Sequence, residues 1–191
     1  MKTIISIFLF AIGFYQLQAQ RVFQEQSRAM GIDNIEKFKS FLALPNDAAQ
    51  KEQISANVDW ASAELIALGF EVKTLSTSHL PLLLANKIVK NNLPTVAFYL
   101  HLDGQAVDLS RWNQDDPYTA ELMQKTNNGF EIIGWENIIN TDVDDLRVFA
   151  RSSADDKGPF AMFLIALQYL KDNNKNPAFN IKLIIDFEEE Q

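Results

Sequence analysis

The chain has 191 residues, 47% hydrophobic and 22% charged, which is the composition of a globular domain with a sizeable core, neither disordered nor fibrous. Its net charge of −8 argues against nucleic acid or an anionic membrane surface as partner, since both recruit clustered Lys and Arg. Cysteine is absent, which excludes a disulfide framework and any thiolate metal site, so a metal would have to be held by His, Asp and Glu.

At the N-terminus Lys2 supplies a short positive region, and Ile4 to Phe14 is an apolar run broken only by Ser6 and Gly13. A polar stretch from Gln16 to Gln20 follows, with the small Ala19 as the cleavage point. Residues 1–19 therefore read as a signal peptide, with 20–191 as the mature chain. The run falls short of the about 20 residues that span a bilayer. A buried core helix is the alternative. No Cys follows the run, which excludes a lipoprotein anchor. The expected location is exported, periplasmic or extracellular, with no membrane attachment after cleavage.

Asp33 opens a helical pattern in which Ile35, Phe38, Phe41 and Leu42 recur at three- and four-residue steps, closed by Pro45. A second helix is predicted to start after Asn46 or Asp47. It places Ile54, Val58, Ala61, Leu65 and Leu68 on one face, with Gly69 at its C-terminus. The period then changes. Phe70 to Thr74, Leu82 to Ile88 and Thr95 to Leu100 read as three strands, separated by Pro81 and Asn91-Asn92-Leu93-Pro94. From Asp103 to about Asp145 the mixed composition predicts a long connection with a short strand or two, and Leu146 to Ala150 reads as another strand. Pro159 to Leu170 is a strong helix, with Phe160, Phe163, Leu164, Leu167 and Leu170 on one side. Asn173 to Pro177 turns the chain into a strand from Phe179 to Phe187, where Ile181, Leu183 and Ile185 share a face. Helices first, then strands alternating with a helix, predict an α/β sandwich around a mixed sheet.

Three polar clusters fall at the ends of predicted strands or at the entry to the strong helix. Open α/β sheets place their binding sites beyond the C-terminal ends of strands. His101-Leu102-Asp103 ends the strand Thr95 to Leu100, and alternation points His101 and Asp103 to the same side. A metal-binding imidazole commonly has its other ring nitrogen held by a carboxylate, so Asp103 suits that role or the support of a neighbouring catalytic group. A surface His beside an Asp is the bland reading. Ala150 to Pro159 contains Asp155-Asp156-Lys157-Gly158 and leads into the strong helix. Asp at a helix start is favoured by capping and the dipole, yet paired Asp followed by Lys-Gly-Pro exceeds what a cap requires. Asp186-Phe187-Glu188-Glu189-Glu190 ends a buried-looking strand, where like charges repel unless a cation neutralises them.

In this order the clusters resemble the M20 family of metallopeptidases, which includes carnosinase-like dipeptidases, glutamate carboxypeptidases, aminoacylases and succinyl-diaminopimelate desuccinylase. The matching residues are His101-Leu102-Asp103, Arg151 to Gly158 and Asp186 to Glu190. Trp112-Asn113 with Asp116-Pro117-Tyr118 resembles a further family segment. The resemblance covers the chain from about Asp33 to its last residue.

It implies a mixed-sheet α/β/α sandwich of the zinc-dependent exopeptidase type, incomplete at the C-terminus. It also implies hydrolysis of amide bonds in small peptides or N-acyl amino acids, with water activated between two zinc ions, cobalt or manganese being possible substitutes. By position, His101 would bind one metal, Asp155 would bridge both and Glu190 would bind the other. Glu189 would act as general base and Asp103 would support catalysis. The resemblance also implies a cis peptide between Asp155 and Asp156.

Departures are Ala150 and Ser152 where the pattern has glycines beside Arg151, and Phe187 where it has glycine. The long gap between His101 and Asp155 fits an insertion around Gln124 to Asp145. The family uses a further acidic ligand, a late histidine, and a lid domain that pairs chains into a homodimer and grips substrate. His79 is the other histidine, on a loop before Pro81. The chain is therefore expected to be an N-terminal part of the catalytic domain, weak in metal binding and inactive by itself. A metal-free binding or interaction module, and a glycosidase built on Glu189 with another carboxylate, are the alternative readings.

Overall fold

A computed structural model describes residue 18, residues 20–112 and residues 114–191. The apolar run and Ala19 of the expected signal peptide lie outside the described residues, as does Asn113. The chain divides into two compact units, Met1–Ile35 and Glu36–Gln191. In the first, residues 20–33 are helical, and the helix closes where the backbone and side-chain amides of Asn34 both donate to Met30 O.

The second unit carries the sheet. Helix α1 (Ile35–Leu42) buries Phe41 and Leu42, as its spacing predicts. Helix α2 (Lys51–Ala67) begins later than predicted. The reason is local: Asp47 Oδ1 accepts from Ala49 N at 2.9 Å in a tight turn, and Asn46 is drawn into bonds elsewhere. At its far end Gly69 adopts φ +83, while Gly69 N and Phe70 N donate to Ile66 O and Leu65 O. That pairing satisfies the last carbonyls and needs a residue without a Cβ.

Among the described residues, seven strands follow in chain order: β1 (Glu71–Leu75), β2 (Leu82–Lys87), β3 (Thr95–His101), β4 (Glu121–Thr126), β5 (Gly129–Ile133), β6 (Leu146–Phe149) and β7 (Asn180–Asp186), with helix α3 (Lys157–Asp172) between the last two. The larger sheet has the order β1-β2-β7-β3. It is mixed, because β7 runs antiparallel to β2 and parallel to β3. Leu83 and Ala85 sit opposite Ile185 and Leu183, which puts the predicted Ile181, Leu183, Ile185 face in the core. There it meets Ile54, Val58, Ala61 and Leu65 of α2 and Phe160, Leu164 and Leu167 of α3. Phe41 stacks on Trp60 with ring centroids 3.8 Å apart. The mixed α/β architecture read from the sequence is present, and α1, α2 and α3 pack on one face of this sheet. Tyr99, on the opposite face, is 56% exposed.

The connection predicted between Asp103 and Asp145 contains a smaller antiparallel sheet in the order β5-β4-β6. Thr126 pairs with Gly129, so Asn127 and Asn128 form a two-residue hairpin turn. Short 3-10 turns cover Leu109–Arg111, Trp135–Ile139 and Val143–Asp145. Among the described residues, no helix is long and apolar enough to cross a membrane.

Candidate metal centre

The parallel pairing of β3 with β7 sets His101 opposite Asp186. Both strands therefore end at the same edge of the sheet, and the residues that follow them emerge side by side. The turn between β6 and α3 brings a third segment, Ala150 to Asp156, to that edge. Its contact with the first is direct: Asp155 Oδ1 lies 2.9 Å from His101 Nε2. The peptide between Asp155 and Asp156 is cis.

His101 is held from both sides. Its Nδ1 lies 3.3 Å from Oδ1 of Asp103, a carboxylate that is fully buried. The other oxygen of Asp103 accepts from Glu190 N at 2.9 Å, so one carboxylate orients both the imidazole and the acidic segment after β7. Beyond Nε2, Glu189 Oε2 stands 3.9 Å away. Donor atoms of His101, Glu189 and Glu190 all lie within 4.8 Å of one another. Glu190 also accepts from Gln105 Nε2 at 2.9 Å. Asp155 joins this group through His101.

Burial by itself would lower the His101 pKa. The hydrogen bond to Asp155 and the charges of Asp103 and Asp156 outweigh it, and the imidazole titrates above its ordinary value. Asp156 moves up because burial disfavours its charged form, against the opposing pull of His101, whose backbone N–H donates to it at 3.3 Å. Carboxylates gathered this closely around one imidazole repel each other unless a cation shares the site. A donor set of one imidazole and several carboxylates, without sulfur, suits zinc, cobalt or manganese. The residues present therefore fit a metal.

The five residues singled out from the sequence, His101, Asp103, Asp155, Glu189 and Glu190, converge on this edge. Asp186 does not join the donor group. Its Oδ1 accepts from Phe187 N and Glu188 N, and its Oδ2 accepts from Tyr99 Oη at 3.0 Å. Burial and that bond push the Tyr99 phenol up to about 12. Phe187, where the family pattern has glycine, is fully buried in the core. His79 Nδ1 lies 3.8 Å from Glu188 Oε1 at the rim, apart from the metal donors.

Supporting roles were less visible in the sequence. Lys157 is fully buried, and its ammonium donates to Phe41 O at 2.9 Å and to Leu44 O at the end of α1. Burial lowers its pKa to about 7. Gly158 is required by close approach, since a Cβ there would lie 2.2 Å from Ser153 O. Arg151 rests its guanidinium 5.1 Å from the Trp112 ring, and its backbone N–H donates to Pro117 O. The residues between the first two clusters thus brace the second. Asn46, read only as a helix start, is completely buried beneath the site. An isolated Asn after Pro45 carries no signal of that burial.

A mixed α/β sheet with a histidine–carboxylate cluster beyond its strand ends has the form of a metallohydrolase centre. Residues 97–191 match the model of peptidase family M20/M25/M40, and the chain belongs to that family. No curated protein matches the chain significantly. Among solved structures, human carnosine dipeptidase 1 aligns at 24% identity and a TM-score of 0.67, over 89% of this chain and 34% of its own. An M20 family metallo-carboxypeptidase from Sulfolobus solfataricus aligns at 25% identity and a TM-score of 0.61, over 82% of this chain and 31% of its own. A di-peptidase from Saccharomyces cerevisiae shows the same fold at 17% identity and a TM-score of 0.58, over 84% of this chain and 34% of its own. The chain spans about one third of the length of these proteins.

Proposed function

We propose that this chain forms part of the catalytic domain of a metal-dependent hydrolase acting on amide bonds of small peptides or N-acyl amino acids. The observation that carries this reading is the His101 imidazole, fixed at Nδ1 by buried Asp103 and facing Asp155 and Glu189 with Nε2. His101 would hold one cation, Glu190 a second, and Asp155 would lie between them. Two zinc ions are the favoured occupants, with cobalt or manganese as substitutes. When bound, the metals supply Lewis acidity and a lowered pKa for attacking water.

The chain's own residues do the rest. Asp103 accepts Nδ1–H and so fixes the tautomer that leaves Nε2 free as a donor atom. Glu189, whose side chain is 47% exposed, reaches the open side of the cluster. There its carboxylate can take a proton from water and pass it to the leaving nitrogen. Supplying few donors per cation, this chain by itself would bind metal weakly and turn over little. Pairing into a homodimer through a lid domain outside this sequence, and export by residues 1–19, belong to the same proposal.

The 2.9 Å His101–Asp155 pair also closes on itself with a proton, which favours a metal-free binding module as the second reading. Hydrolysis assays on dipeptides and N-acetyl amino acids, using the natural protein that carries this sequence, separate the two. Zinc-dependent release of amino acid is expected, with Glu189→Gln lowering the rate about 10²–10⁴-fold while zinc binding persists. Activity that survives both chelation and that substitution would sink the hydrolase reading.

A further inference from the structure

Asn46 lies in the connection between α1 and α2, far in sequence from every residue of the metal centre, and none of its surface reaches solvent. Its side-chain nitrogen donates to Leu102 O at 2.8 Å, in the segment between His101 and Asp103. The same nitrogen donates to Ser152 Oγ at 2.9 Å, in the turn that carries Asp155. Ser152 Oγ lies 3.3 Å from Asn46 Oδ1, so the hydroxyl can return its own hydrogen to the same amide. The backbone of Asn46 is engaged as well. Its carbonyl accepts from Gly104 N at 2.8 Å. One residue thus ties together the exit of β3 and the entry to α3.

Two further observations show that this junction is built for close approach. A Cβ on Gly104 would lie 2.5 Å from Ser152 Oγ and 3.1 Å from Asn46 Nδ2, so only glycine fits there. Ser152 has φ 60, a left-handed conformation that glycine adopts freely and a serine adopts at a cost. Here the costlier residue supplies what glycine lacks, a hydroxyl that reaches Asn46. These contacts involve no donor atom of the metal centre. They fix the two chain segments on which its donors are mounted.

We propose that Asn46 and Ser152 form a side-chain clasp that sets the spacing between the His101–Asp103 segment and the turn bearing Asp155. Both are positioning residues for the metal centre. The inference rests on the metal-centre reading above. Cation affinity depends on donor spacing, and loss of a residue that orients ligands typically costs about 10–100-fold in metal affinity.

The test uses the natural protein with Asn46→Ala, Ser152→Ala and the double substitution. Zinc affinity is measured by chelator competition, and amide hydrogen exchange is measured on the metal-free form. Each single substitution is expected to weaken zinc binding about 10-fold or more. The double should be no worse than Asn46→Ala alone, because the partners act as one unit. Either substitution should also speed exchange in both 102–104 and 151–153. Folded variants that bind zinc as tightly as the parent, or losses that simply add, would overturn the clasp.

If the parent protein binds no zinc, the metal-centre reading fails and exchange still decides. Faster exchange in both segments would uphold the clasp, whereas faster exchange confined to the substituted segment would overturn it. Should Asn46→Ala not fold, Ser152→Gly carries the comparison. It relieves the backbone yet removes the hydroxyl, so zinc affinity should fall as with Ser152→Ala, and unchanged affinity would contradict the proposal.

Discussion

Between Asp103 at Nδ1 and Asp155 at Nε2, the His101 imidazole keeps its proton to a higher pH than a free histidine, despite burial that alone would lower its pKa. Below the ordinary histidine value of 6.5 the group is protonated both folded and unfolded, and its stabilising contribution is complete. As pH rises through the higher folded value, that contribution is lost. The metal-free protein should therefore lose stability across this interval, read as a falling denaturation midpoint. His101→Gln should flatten that slope, and an unchanged slope would assign it to another group. Zinc competes with the same proton, so its affinity should rise over the same interval. The pair His101 and Asp103 was legible because two residues apart on a strand share a side. The partnership with Asp155 crosses 54 positions of chain, beyond any local pattern, and was legible only through the family resemblance.

Among the elements, α3 links the site to the core through a residue that sequence patterning passes over. Lys157 opens the helix, and a Lys near an acidic turn reads as solvated. Instead its stem is buried and its ammonium serves carbonyls at the end of α1. Lys157→Met keeps the stem and removes the donor, leaving Phe41 O and Leu44 O without that partner. A loss of about 1–3 kcal/mol is expected, measured by urea denaturation. Stability within a few tenths of the parent would show that those carbonyls find other donors. Strand β7 was legible because Ile181, Leu183 and Ile185 alternate and are all buried. The start of α2 was misplaced because Asn46 and Asp47 spend their side chains on tertiary and turn bonds. Gln50 stands at the cap without a side-chain bond. The β4–β5 hairpin was blurred because β5 is short, and the alternating Phe130 and Ile132 are exposed, so that alternation marks no core face.

For the molecule as a whole, mixed pairing around β7 makes the site possible. The parallel partner β3 brings His101 and the acidic segment out at one edge, while the antiparallel partner β2 completes the core beneath them. The α/β class and the site's edge were legible from strand alternation and from clusters placed where strands end. The clasp through Asn46 was not, because its partners lie 56 and 106 positions away and no local pattern records them. On the proposed function, this edge holds two cations through His101, Asp155 and Glu190. The most direct measurement is zinc stoichiometry by equilibrium dialysis of the natural protein after chelation, beside His101→Gln, Glu190→Gln and Asp155→Asn. Two zinc ions are expected in the parent, one after either of the first two substitutions, and the greatest loss after Asp155→Asn. No zinc in the parent, or binding undiminished by all three substitutions, would contradict a two-metal site.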